Sequence, residues 1–156
     1  MLLTIAHIGP KPNKSGAKAG FDALTGLYVE RIVPYHPCQV EAFASEAAFL
    51  AWLGKQAGRV PAFPVLLDSR GRQMASTEIA AWLGARRDQG IQHLVFAIGP
   101  ADGWAPATLE AVRAQAHLLL SFGPITMAHE LARLVLAEQL YRACTILAGH
   151  PYHSGH

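Results

Sequence analysis

Two stretches carry the residues best suited to chemistry. The chain ends in AGHPYHSGH, where His150, His153 and His156 recur every third residue beside Tyr152. Further in, His129, Arg133, Tyr141 and Arg142 interrupt the otherwise apolar run HELARLVLAEQLYRACTILAG. Imidazoles exchange protons near neutral pH and bind metals. A phenol can relay a proton, and guanidinium groups hold anions. The tail is therefore a metal site, an acid–base site or a stray polar end. Zinc is disfavoured, because Pro151 breaks the helix that would align the histidines and no carboxylate or thiolate lies nearby to complete the shell. No metal is expected. For His129, Arg133, Tyr141 and Arg142 the bland alternative is solvated charge and a histidine at a helix start. Local sequence does not choose between these readings.

The elements that must position these residues follow from pattern. LLTIAHIG is β-rich and closed by Gly9-Pro10, a first strand. KPNKSGAKAG is a loop with Lys11, Lys14 and Lys18. A helix over about residues 20–31 carries Phe21, Leu24, Leu27 and Tyr28 at helical spacing. CQVEAFA is a candidate second strand. Ser45 caps EAAFLAWLGKQ, with glutamate in its first turn. AFPVLLD is a buried strand, and SRGR turns the chain. Ser76 or Thr77 caps EIAAWLGARRD, which Gly90 ends. HLVFAIG, ATLEAVRAQA and LLLSFG read as strand, helix and strand. The last helix starts after Thr126 and runs to about residue 148, where Gly149 caps it and Pro151 prevents continuation.

Continuous apolar strands alternating with helices predict an α/β domain, a mostly parallel sheet with helices on both faces. With 156 residues, this is one domain spanning 1–156. In such sheets ligands bind beyond the C-terminal strand ends. That directs attention to LDSRGR, GPADGW and SFGPITM, each containing a glycine that lets backbone approach a ligand. GxGxxG and GxxxxGK[ST] are both absent, so the usual dinucleotide and P-loop readings lack their signature. Leu131, Leu134, Val135, Leu136, Leu140, Ile146 and Leu147 cover more than one face of the last helix. That surplus predicts a homodimer.

Composition narrows the class. Hydrophobic residues are 51% and charged residues 15%, which argues against disorder. No apolar run approaches the roughly 20 residues of a membrane span, and the N-terminus lacks signal-peptide features. Cys38 and Cys144 have no CxxC spacing and read as reduced thiols in a cytoplasmic protein. A net charge of +2 permits an RNA partner without arguing for one.

The block SFGPITMAHELARLVLAEQLYRACTILAGHPYH closely resembles the C-terminus of the SPOUT-class ribosomal RNA large subunit methyltransferase H family. Members open a helix with a Pro-His pair, continue through an Arg to EQLYRA or a near variant, and close with HPYH. LLDSRG and IGPADGW fall where the family has its LD…G and IGG-x-[DE]-G loops. The register runs from the first strand to His153. The resemblance implies a C-terminal trefoil knot, which topology rules alone would exclude. It implies a homodimer that uses S-adenosyl-L-methionine to methylate N3 of a pseudouridine in 23S rRNA on the assembled ribosome.

Carried over by position, Leu67, Gly99, Phe122, Gly123, Pro124, Ile125, Thr126 and Met127 hold the cofactor. Pro100 stands at the family's second glycine and removes one backbone N–H. Ala128 replaces the usual proline, and Ser154 stands where a basic residue is common. His153, Tyr152, Arg142, His129 and Arg133 face the reacting base. His153 and Tyr152 are the base-side candidates, with His129 next; Arg142 and Arg133 orient the substrate. His150 and His156 are bystanders. Two alternatives remain: a SPOUT methyltransferase acting on another RNA such as tRNA, and a ribosome-binding factor that has lost catalysis.

Overall fold

The computed structural model describes residues 1–11, 15–16 and 18–154. Lys14 and His156 lie outside the described residues. Five strands form one parallel sheet in the order β2-β1-β4-β3-β5. They are β1 (Leu2–Ile8), β2 (Cys38–Phe43), β3 (Phe63–Gln73), β4 (His93–Ile98) and β5 (Leu118–Ser121). The helices are α1 (Ala19–Ile32), α2 (Glu46–Gln56), α3 (Ser76–Asp88), α4 (Pro106–Arg113) and α5 (His129–Leu147). A single 3-10 turn, Pro151–His153, follows α5. No helix among the described residues is long and apolar enough to cross a membrane.

The predicted alternation of strand and helix is what the structure has, and the continuous apolar strands have the expected cause. Successive strand residues feed two cores. Leu3, Ile5, Leu94, Phe96 and Ile98 pack with α1, α3 and α5, while Ala6, Leu66, Val95 and Ala97 pack with α2 and α4. Ser45 caps α2 as predicted, accepting from the Ala48 N–H at 3.1 Å. The C-terminal cap of α5 also follows its sequence signal. Gly149 has φ +71°, and the His150 N–H reaches back to the Thr145 carbonyl at 2.9 Å.

Five expectations need correction. SRGR is no turn; it lies inside β3, which continues until Arg72 and Gln73 pair with Leu120 and Ser121 after a register shift beyond Leu67. Asp68 Oδ1 folds the shift by accepting from the Arg70 N–H at 2.8 Å. Gly71 permits it, since a Cβ there would stand 2.6 Å from the Leu119 carbonyl carbon. Neither Ser76 nor Thr77 caps α3; Glu78 reaches back to the Ala75 N–H at 3.1 Å, which frees Ser76 for a contact with α5. Leu136 and Leu140 are 1% and 0% exposed, so they serve this subunit's core rather than a second face. Phe21, Leu24 and Leu27 face outward on α1, exposed by 36%, 48% and 39%. Finally, residues 151–153, for which a stray polar end was one reading, are a packed turn.

Candidate active site

A cavity of about 480 Å³ opens beyond the C-terminal ends of β3 and β5. Phe122, Gly123 and Met127 line it from the segment after β5. Met74, Ser76 and Ile79 line it from the start of α3, and Val135 and Gln139 from α5. Three of the positions carried over for cofactor therefore meet in one cavity. Pro124, Ile125 and Thr126 sit exposed on the same segment, with Ile125 73% exposed.

Leu67, Gly99 and Pro100 do not line that cavity, and Leu67 and Gly99 meet Trp104 instead. Its indole Nε1–H donates to the Leu67 carbonyl at 2.9 Å. A Cβ on Gly99 would stand 2.8 Å from the ring. Trp104 is only 6% exposed and packs against Phe49 with ring centroids 5.7 Å apart. Gly99 is small here to admit an indole, so a larger residue there would first displace Trp104.

The proposed catalytic residues form two groups. In the first, Arg133 pairs with Asp22 of α1 and is 3% exposed. Its Nη1 stands 3.0 Å from His7 Nε2. Guanidinium can only donate, so the His7 ring accepts and is neutral there. Burial, and then the Arg133 charge, lower the His7 pKa to about 4. His129 stacks on His7 with centroids 5.5 Å apart, and burial followed by Arg133 lowers its pKa as well. Lys18 pairs with Glu130 at 2.6 Å beside them. His7 and Asp22 were not singled out from sequence, since each pairs across more than 100 positions with α5.

In the second group, Glu138 is the centre. Its Oε1 accepts from Arg142 Nη2 at 2.7 Å, Arg142 Nε at 3.0 Å and the Tyr152 hydroxyl at 3.1 Å. Arg142 Nη1 donates to His153 Nδ1 at 2.9 Å, and the guanidinium lies 4.9 Å from the Tyr152 ring centroid. Tyr141 meets Tyr152 edge-on at 4.7 Å. Burial, then contacts with Tyr28 and Glu138, push the Tyr152 phenol well above its usual range. Glu138 and Arg142, four apart on α5, form an ion pair, and Glu138 also fixes the tail. His150 has a structural part: its Nδ1 accepts from the Tyr152 N–H at 3.1 Å and starts the turn.

Arg133 and Arg142 are nine residues apart, about two and a half turns, so they leave opposite sides of α5. Within one subunit His129 and Arg133 do not face the group of Arg142, Tyr152 and His153. The cavity sides with the latter. Ser76 Oγ donates to Gln139 Oε1 at 2.6 Å, and Gln139 Nε2 donates to Glu138 Oε2 at 2.8 Å. A continuous chain of hydrogen bonds thus joins the cavity wall to the tail. Among the described residues, no group of three or more His, Cys, Asp or Glu could hold a metal ion.

Comparison with known proteins follows the same line. The family model described as predicted SPOUT methyltransferase matches residues 1–153. A protein of Koribacter versatilis named ribosomal RNA large subunit methyltransferase H is 48% identical over 139 residues, covering 89% of this chain and 92% of its own. A protein of the same name from Deinococcus radiodurans is 40% identical over 157 aligned positions, covering 99% and 100%. A looser likeness, at TM-score 0.48 and 10% identity, links 96% of the chain to 61% of the SpoU methyltransferase AviRb from Streptomyces viridochromogenes, solved in complex with AdoMet. From its first strand to the histidine of its terminal turn, the chain belongs to the SPOUT methyltransferase family, beside the members named ribosomal RNA large subunit methyltransferase H.

Proposed function

We propose that the protein methylates N3 of a pseudouridine in 23S rRNA on the assembled ribosome, using S-adenosyl-L-methionine, as a cytoplasmic homodimer. The observation that carries this reading is the linkage of cavity and tail. A cavity of about 480 Å³ is in the size range of small-molecule sites. Its apolar walls at Phe122, Met127, Ile79 and Val135 suit a nucleoside and a thioether chain, and Ser76, Ser121 and Gln139 supply polar anchors. These residues fit the cofactor, which supplies an electrophilic methyl group when bound.

The protein's share of the chemistry is to orient the base and manage one proton. Arg142 stands at the tail as the charge that steadies an anionic ring. Tyr152, kept protonated by burial, donates its hydroxyl hydrogen bond to Glu138; it relays the N3 proton by accepting it on the phenol oxygen as its own proton passes to the Glu138 carboxylate. His153 accepts at Nδ1 from Arg142 and so carries its own proton on Nε2. For His153 to serve as base, Arg142 must release Nδ1 or the imidazole must change tautomer. Arg133 and His129 we assign to holding α5 against α1 and β1. The homodimer is supported by the exposed apolar residues of α1 together with Leu131 of α5, 39% exposed. The trefoil knot belongs to the same reading. It is supported by the crossover from β4 through β5 to α5, which returns across β1 and β4.

A second reading, a ribosome-binding factor without catalysis, draws on Trp104 and Pro100 at positions carried over for cofactor. Methyl transfer from labelled cofactor to ribosomes, isolated subunits and bare rRNA lacking the modification separates the two. Incorporation mapped to one pseudouridine of 23S rRNA in assembled particles is the expected result. Ribosome binding with no incorporation would establish the non-catalytic factor, and incorporation into tRNA would name another substrate.

A further inference from the structure

The two oxygens of Glu138 are held from different sides. Oε1 accepts from Arg142 and from the Tyr152 hydroxyl. Oε2 accepts from Gln139 Nε2 at 2.8 Å. Adjacent residues on a helix do not face each other, so this last contact needs a cause outside α5. Ser76 supplies it. Its Oγ stands 2.6 Å from Gln139 Oε1, across 63 residues of chain, and draws the other end of the same amide. Chemistry fixes the direction of both bonds. An ionised carboxylate can only accept, so the Gln139 nitrogen faces Glu138 and its oxygen faces Ser76. The Ser76 hydroxyl must then donate, which leaves its oxygen to meet a ligand as an acceptor. Ser76 is available because Glu78 takes the Ala75 N–H at the start of α3. Ser76 and Gln139 both line the cavity, so one amide borders the cavity on one side and Glu138 on the other.

We propose that Gln139 is a positioning residue for methyl transfer: its Nε2 holds the Glu138 carboxylate with Oε1 turned to Tyr152, and Ser76 holds Gln139 at the cavity wall. The inference rests on the reading above, in which the Tyr152 proton passes to Glu138. With Oε2 engaged by Gln139, Oε1 is the oxygen that receives that proton. Without Gln139 the carboxylate is free to turn about its terminal torsion, which is broad in glutamate, and the donors on Oε1 lose their alignment. One side chain thus ties the cofactor's cavity to the group that takes up the proton.

The test measures methyl transfer from labelled cofactor to ribosomes lacking the modification, with the full chain and at saturating cofactor. Gln139→Leu removes both bonds. Its kcat should fall about tenfold, the worth of a hydrogen bond to a charged group, while KM for ribosomes changes less. Ser76→Ala should lower kcat by a smaller factor. The double variant should be no slower than Gln139→Leu alone, since the serine acts through the amide. Gln139→Glu keeps the shape and sets a second carboxylate against Glu138. Like charges disfavour ionisation of the pair, so the acidic limb of the kcat–pH profile should move to higher pH. The charged and titratable groups about Glu138 are Arg142 of α5, Tyr152 of the terminal turn, His153 through Arg142, and Tyr28 of α1 beside Tyr152. All are common to both chains, so the displacement reports on position 139. A folded Gln139→Leu chain with native kcat would overturn the inference and leave the methyltransferase reading standing. So would an acidic limb that Gln139→Glu leaves in place, and this variant decides the matter if Gln139→Leu does not fold. Strictly additive losses in the double variant would overturn the link through Ser76. A native chain that methylates nothing removes the methyltransferase reading, and this inference with it.

Discussion

At the scale of the residue, one buried cluster and one half-buried cluster set what each ionisable group can do. His7 is 0% exposed, and its pKa of about 4 lies below the ordinary histidine value of 6.5. The unfolded chain therefore binds a proton that the folded chain refuses between those two values. The neutral His7 contributes stability that is present above about pH 6.5 and is lost as pH falls toward about 4. The loss should be on the order of 2–3 kcal/mol. His7→Asn removes that component, so denaturant titrations of the two proteins should diverge in slope over this window and run parallel above it. Equal slopes throughout would show that His7 is not the responsible group. In the other cluster, Glu138→Gln keeps the shape but removes the charge that Arg142 and Tyr152 share. Methyl transfer should fall by about tenfold or more, while cofactor binding changes little. Tyr152→Phe should produce a smaller fall, because the ring contacts with Tyr141 and Arg142 remain.

At the scale of the element, the terminal turn and β3 carry the predictions. Truncation after Gly149 deletes the turn that Tyr152 and His153 pin to α5. Stability should drop by about 1–2 kcal/mol for the lost hydrogen bonds and ring packing, a larger effect than a loose tail would have. Methylation of ribosomes should collapse while cofactor affinity survives, since the cavity is lined from β3, β5, α3 and α5. Full methylation by the truncated chain would dismiss the tail from the site. Gly71 makes a separate point about β3. Gly71→Ala should cost about 1–3 kcal/mol, because its Cβ meets backbone that no rotamer can move aside. A thermal midpoint equal to that of the native chain would mean that β5 shifts freely.

At the scale of the whole molecule, association and architecture come together. Leu136 lies in the core, so Leu136→Glu would unfold the subunit instead of separating two of them. The informative pair is Leu24→Glu with Leu131→Glu, both on the exposed apolar surface of α1 and α5. Sedimentation of the native chain should give a dimer at micromolar concentration, and the double variant should give a folded monomer. A native monomer at that concentration would remove the dimer from the proposal.

What the sequence determined by itself was the part that local physics controls. Strands buried on both faces must be apolar throughout, and helices need caps and stops, so β1, β4, α2 and the end of α5 were legible from residue type and spacing. The chemical inventory was legible too: His129, Arg133, Arg142, Tyr152 and His153 stand out because polar groups in apolar text need partners. Their grouping was not. Arg133 finds Asp22 at a separation of 111 residues and His7 at 126, and Trp104 finds Leu67 at 37. Only closure of the sheet and the helical phase of α5 brings such partners together. The same phase sends Arg133 and Arg142 to opposite sides. Tertiary packing therefore decided which candidates share a site, because contact between residues far apart in the chain depends on backbone geometry that no local pattern encodes.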